Sequence, residues 1–333
     1  MKTIATLLLF LGSTQGFQQK EQHKDTQREV KQTPTVLTEY SVKLLPSPSF
    51  TYGENVQCDL DGNMYFHASD NFNESVVLRL KQDGSQKQFK LSSEDAKNNF
   101  ILFRIDPEGR VRILDQAQKQ SNKLHVHEFS SESSDAIRTD LEVPVGLLPT
   151  SFLVLGNDHI LIYGYFDEDA ASNNKGKRYI GEFDSSGKLI RQTNETASGA
   201  DIQEAISTAP NNAVAEAIDG HSYILVGDAI IVLSAAGKVL EKRHIVAPEE
   251  GYRPVNIFTD GAFLVVAFYK APQKGDISGF LAMYQLLNRQ TGELIRTYKP
   301  GPELGNVLAC FSSEGFTFIR VQNNRTRLFI AKP

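Results

Sequence analysis

The residues with most chemical potential in this chain are carboxylates and an amide at the edges of apolar runs: Glu54, Asp59, Glu216 and Asn256. Each lies on or just before a run that reads as an inner strand. Hard divalent cations such as calcium take clustered oxygen ligands of this kind. Their offsets from the following turns differ, which sets them at different depths, so convergence on one ion is the alternative arrangement and no bound cofactor the leading one. Tyr165-Phe166-Asp167-Glu168-Asp169 joins two aromatics to three carboxylates, and Tyr252-Arg253 offers a ring beside a planar fork of donors. Tyr165, Asp167, Glu168, Asp169, Tyr252 and Arg253 are therefore the candidate ligand contacts. The acidic loop lacks the spacing and the glycine of a calcium loop.

Other reactive groups read as structural. His125 and His127 share a strand face, and with no third ligand in sight they are expected on an ordinary strand surface. His159 and His221 follow short turns. No Gly-x-Ser-x-Gly is present, and neither cysteine has a nearby histidine. Catalysis through a serine or cysteine nucleophile is not expected. Cys58 and Cys310 are the only cysteines. Both fall on inner strands of repeats that adjoin where a ring would close, so they are either a closure disulfide or two buried thiols. Asn73, Asn194 and Asn324 open N-x-Ser/Thr triplets, which matter only in a eukaryotic secretory route.

What must position these groups is a repeat. Asp61-Gly62, Glu108-Gly109, Gly156-Asn157, Asp219-Gly220, Asp260-Gly261 and Glu314-Gly315 each separate two apolar runs, the strongest short hairpin signal. Third and fourth runs follow at a period of roughly 40 to 65 residues, which is that of a radial array. The turns Ser186-Gly187-Lys188-Leu189, Ala236-Gly237-Lys238-Val239 and Thr291-Gly292-Glu293-Leu294 recur at one place in successive units. Four strands per unit make an all-β, six-bladed β-propeller over residues 35–333. The sixth unit has only three strands, so Thr35 to Lys43 is expected to pair antiparallel with Arg327 to Ile330 and close the ring.

Asp59-Leu60-Asp61-Gly62-Asn63-Met64-Tyr65-Phe66 and Phe183-Asp184-Ser185-Ser186-Gly187-Lys188-Leu189-Ile190 resemble the turns of NHL-repeat six-bladed propellers. The resemblance is architectural. It implies a scaffold shared by peptide and glycan binders, lyases and lactone hydrolases, among which metal-dependent lactonases use an acid and amide set similar to Glu54, Asp59, Glu216 and Asn256. In such propellers the loops entering the inner strand, and those joining strands two and three, open on one face. Here they are the long ones, such as Tyr165 to Arg178 and Thr193 to Asn212, and long loops are commonly functional.

The N-terminus reads as an export signal, residues 1–16, with Lys2 before the apolar Ile4 to Leu11 and a small or polar exit ending at Gly16. The apolar run is too short to span a bilayer. Residues 17–34 are rich in Gln, Lys and Glu and cannot bury enough surface to order themselves. The chain of 333 residues carries 35 basic and 40 acidic groups with no basic block, so the footprint of a nucleic-acid binder is missing. The sequence thus describes a secreted or periplasmic, non-catalytic propeller that binds a protein, peptide or glycan through its long-loop face. A lactonase-like metal-dependent hydrolase or lyase at the channel mouth is the alternative.

Overall fold

The structure, a computed structural model, describes residues 33–44, 51–69, 75–92, 95, 99–117, 122–166, 178–193, 214–216, 219–271, 281–305, 307–322 and 325–333. Two short strands, β1 (Thr35–Leu37) and β2 (Tyr40–Leu44), precede six antiparallel blades. Blade one holds β3 (Thr51–Cys58), β4 (Met64–Ser69), β5 (Ser75–Leu80) and β6 (Gln86–Lys90). Blade two holds β7 (Asn99–Ile105), β8 (Val111–Gln116), β9 (Lys123–Phe129) and β10 (Ala136–Glu142). Blade three holds β11 (Leu147–Val154), β12 (Ile160–Phe166), β13 (Arg178–Phe183) and β14 (Leu189–Thr193). Blade four holds β15 (Val214–Glu216), β16 (Ser222–Val226), β17 (Ala229–Leu233) and β18 (Val239–His244). Blade five holds β19 (Arg253–Thr259), β20 (Phe263–Lys270), β21 (Leu281–Asn288) and β22 (Leu294–Pro300). Blade six holds β23 (Leu308–Ser312), β24 (Gly315–Gln322) and β25 (Arg325–Ala331). The protein is a six-bladed β-propeller.

Side chains alternate faces along each strand, so each blade feeds two cores. Tyr65 and Val77 of blade one pack with Phe103 and Ile113 of blade two. Met64, Phe66 and Leu80, one residue out of phase, pack with Ala309 and Leu328 of blade six. Four further clusters fill the interfaces between blades two and three, three and four, four and five, and five and six. Six interfaces each with its own apolar core make a closed ring.

Closure is more elaborate than one strand. Tyr40 to Leu44 pairs antiparallel with β25, from Tyr40 opposite Ala331 to Leu44 opposite Arg327. Thr35 to Leu37 does not join blade six. It runs parallel to the outer strand of blade five, Thr35 opposite Tyr298 and Leu37 opposite Pro300, and gives that sheet a fifth strand. The expected single strand is broken at Thr38-Glu39 because Leu37 is drawn into the core between blades five and six. Cys58 and Cys310 form a disulfide across the same closure, with Cα atoms 5.6 Å apart.

The hairpin turns at the inner strands behave as the Gly signal requires. Gly109 has φ +78°, and a Cβ there would stand 2.8 Å from the Tyr65 hydroxyl and 2.9 Å from Asp59 Oδ2, so both backbone and space demand glycine. The glycine-free turn of blade two is instead braced by serine hydroxyls: Ser130 Oγ accepts from the Ser133 amide, and Ser133 Oγ from the Asp135 amide.

Candidate functional site

Inner-strand side chains converge at the ring axis. Gln57 on β3 spends its amide on the next blade, donating to Phe103 O at 2.8 Å and accepting from the Ile105 amide at 3.0 Å. Arg104 on β7 repeats the device toward blade three, donating from Nε to Phe152 O at 3.1 Å and from Nη2 to Ser151 Oγ at 2.8 Å. Between them lies an axial cavity of about 60 Å³, walled by inner strands of blades one, two, four and five and including Gln57, Cys58, Arg104, Glu216 and Asn256. A second cavity of about 310 Å³ opens at the short-turn end, lined by the turns of blades two, three and four. Pro107 and Glu216 line both, so the two cavities adjoin.

Charge at this end is organised around two arginines of blade two. Arg112 on β8 is buried and donates from Nε to Glu128 Oε2 at 2.8 Å, with Asp106 Oδ2 at 3.3 Å from its Nη2. Its Nη1 stands 3.7 Å from Glu216 Oε2, reaching blade four. Arg110 caps the same Asp106 through its Nε. Glu216 Oε1 is buried with no hydrogen-bond partner among the described residues. Burial pushes the Glu216 carboxyl up to about 7, against the pull of Arg112 and Arg104. Desolvation exceeds the gain from two nearby cations because neither makes a close, well-aligned pair with it. At the rim, Asp219 takes Arg289 Nη1 at 2.7 Å and His221 Nδ1 at 3.0 Å.

Glu216 and Asn256 share the axial cavity. Asn256 Oδ1 accepts its own neighbour's amide, that of Ile257, at 2.9 Å. Asp59 belongs elsewhere: it accepts from the Asn63 amide, Asn63 Nδ2 and the Tyr65 hydroxyl, all within 2.9 Å, and serves the turn. Glu54 lies on β3, and its side chain is outside the described residues. Among the described residues no group of three or more His, Cys, Asp or Glu side chains is set to hold a metal ion.

Tyr165 is exposed on β12, whereas Tyr252 is buried between blades four and five with Lys270 Nζ 5.6 Å above its ring. Arg253 turns outward at the start of β19. Tyr165 and Tyr252 thus belong to different blades, and Asp167, Glu168 and Asp169 lie outside the described residues. His125 and His127, expected on a strand surface, are instead 3% and 2% exposed. They face blade one, where His127 Nε2 meets Asp115 Oδ2 at 2.7 Å and His125 Nδ1 meets Asp140 Oδ1 at 3.3 Å. Two carboxylates on flanking strands supply the partners that let imidazoles be buried. The arginines were the missed residues. Arg104 in Phe-Arg-Ile and Arg112 in Val-Arg-Ile are charges set singly between strand-core residues, and that was the available signal.

No known protein family matches the chain, and no curated protein matches it either. Solved structures are similar in strand arrangement. A streptogramin B lyase is 10% identical over 88% of this chain and 98% of its own, with a TM-score of 0.44. A gluconolactonase from Xanthomonas campestris is 12% identical over 89% and 90%, at 0.45. A YCF48 protein bound to D1 peptide is 9% identical over 90% and 97%, at 0.42. The six-bladed ring rests on this chain's own sheet order and interface cores.

Proposed function

We propose that this protein is an exported, non-catalytic binding propeller that takes a small polar ligand into the axial cavity from its short-turn mouth. The observation that carries the reading is Glu216: one carboxylate that lines both cavities and keeps a buried oxygen without a hydrogen-bond partner among the described residues. A buried polar atom left unsatisfied is costly, and a ligand that pairs with it recovers that cost. The axis is the better site, because there polar side chains of several blades surround one space, whereas Tyr165 is exposed and Tyr252 is buried in an interface core. Export is supported by the Lys2 and Ile4 to Leu11 pattern and by the Cys58–Cys310 bond, which suits an oxidising compartment.

A thermal-shift panel of small carboxylates, amines, sugars and amino acids tests the reading. Stabilising compounds should compete with one another and lose their effect in Glu108→Trp, which plugs the mouth with a bulky rim side chain. Turnover of a δ-lactone that is dependent on added calcium would replace this reading with the hydrolytic one.

A further inference from the structure

We infer that the axial cavity is a site for a small carboxylate-bearing anion, with Arg104 as its receptor. The inference deepens the binding role proposed above and rests on it. Four arginines are buried among the described residues: Arg79, Arg104, Arg112 and Arg289. Arg79 has Glu132 at 3.4 Å, Arg112 has Glu128 and Asp106, and Arg289 has Asp219. Arg104 alone has no carboxylate within ion-pair distance among the described residues. It is 4% exposed and lines the cavity. A guanidinium cannot shed its charge, so its burial calls for an anion.

Its hydrogen bonds show where that anion fits. Nε and Nη2 are committed to Phe152 O and Ser151 Oγ. Nη1 has no partner. Nearby polar groups share the deficit: Glu216 Oε1 across the cavity and the hydroxyl of Tyr163, the strand neighbour of Ser151, are both buried with no hydrogen-bond partner among the described residues. One planar carboxylate would meet Nη1 and take a proton donor on its other oxygen, as arginine–carboxylate recognition requires. Glu216 is the opposing group, since as a carboxylate it repels such a ligand and as an acid it donates to it. Arg112, Arg110 and Asp106 are the other charges that act on it. The axial volume admits a group of only a few heavy atoms, which points to a carboxylate head inside and any larger body in the mouth.

The test is calorimetric titration of the whole chain with sodium acetate at pH 8 and constant ionic strength, with sodium chloride and methylammonium as comparison probes. Saturable acetate binding is expected, lost in Arg104→Gln. In Glu216→Gln it should tighten by about tenfold or more, the effect of removing a unit charge from across so small a cavity at a protein-like dielectric. The Glu216→Gln arm stands even if Arg104→Gln fails to fold. Chloride binding as tightly as acetate overturns carboxylate recognition. Methylammonium binding that Glu216→Gln abolishes overturns the anion but keeps the axial site. No binding of any probe, with both variants unchanged, overturns this inference and the axial site together.

Discussion

Glu216 and the interface histidines carry opposite pH linkages. Glu216 holds its proton in the folded state up to about pH 7, whereas an exposed glutamate has lost it by about 4.5. Its contribution is complete below the lower value and declines as pH rises toward the higher one. At about 1.4 kcal/mol per unit this is on the order of 3 kcal/mol. Urea midpoints of Glu216→Gln should accordingly match wild type at pH 5 and exceed it at pH 8. His67 and His125 are pulled below the ordinary 6.5 by burial. His67 stacks on Phe100 at 4.1 Å, and His125 faces Asp115, Asp140, Arg138 and His127. A buried neutral imidazole binds fewer protons than an unfolded one, so its contribution is complete above about pH 6.5 and lost as pH falls. His67→Phe keeps the stack and removes the titration. Its melting temperature should fall less between pH 7 and pH 5 than that of wild type.

At the scale of elements, the closing strands divide the work. β2 completes blade six, and β1 extends blade five, so ten residues near the start of the ring clamp two blades at once. The anchor of β1 is Leu37, 3% exposed, while Val36 beside it is 50% exposed. Leu37→Ala should destabilise by about 2–4 kcal/mol, the usual cost of a buried leucine. Val36→Ala should change stability by less than about 0.5 kcal/mol. Equal effects in chemical denaturation would mean that β1 does not dock through Leu37. The blades themselves are ordinary meanders, and their repeated Gly turns leave the inner-strand polar residues free to differ from blade to blade. That freedom is what puts a glutamine, an arginine and a glutamate on one axis.

For the whole molecule, the ring is closed three ways at one seam: the β2–β25 ladder, the apolar core between blades six and one, and the Cys58–Cys310 bond. The bond spans a sequence separation of 252. A cross-link over so long a loop stabilises by up to about 5 kcal/mol in the chain-entropy account. Cys310→Ala with Cys58→Ala should therefore lower the melting temperature while leaving the far-ultraviolet strand signal at room temperature unchanged, because ladder and core remain. Loss of that signal would show that the disulfide alone holds the ring.

Turn chemistry and strand periodicity determined the architecture from sequence. Asp-Gly and its relatives recur, apolar runs alternate faces, and three strands at the C-terminus require a fourth from elsewhere. These are local features, so they were legible locally. The tertiary structure decided what depends on which residues meet. It split Thr35 to Lys43 between two blades, because Leu37 finds a core that only the assembled ring contains. It buried His125 and His127, because Asp115 and Asp140 come from neighbouring strands. It withdrew Asp59 to a turn, joined Cys58 to Cys310, and set Arg104 and Glu216 around one cavity. Spacing along the chain orders side chains by strand and face, but depth along the axis and the presence of a counter-charge arise only when six blades close around it.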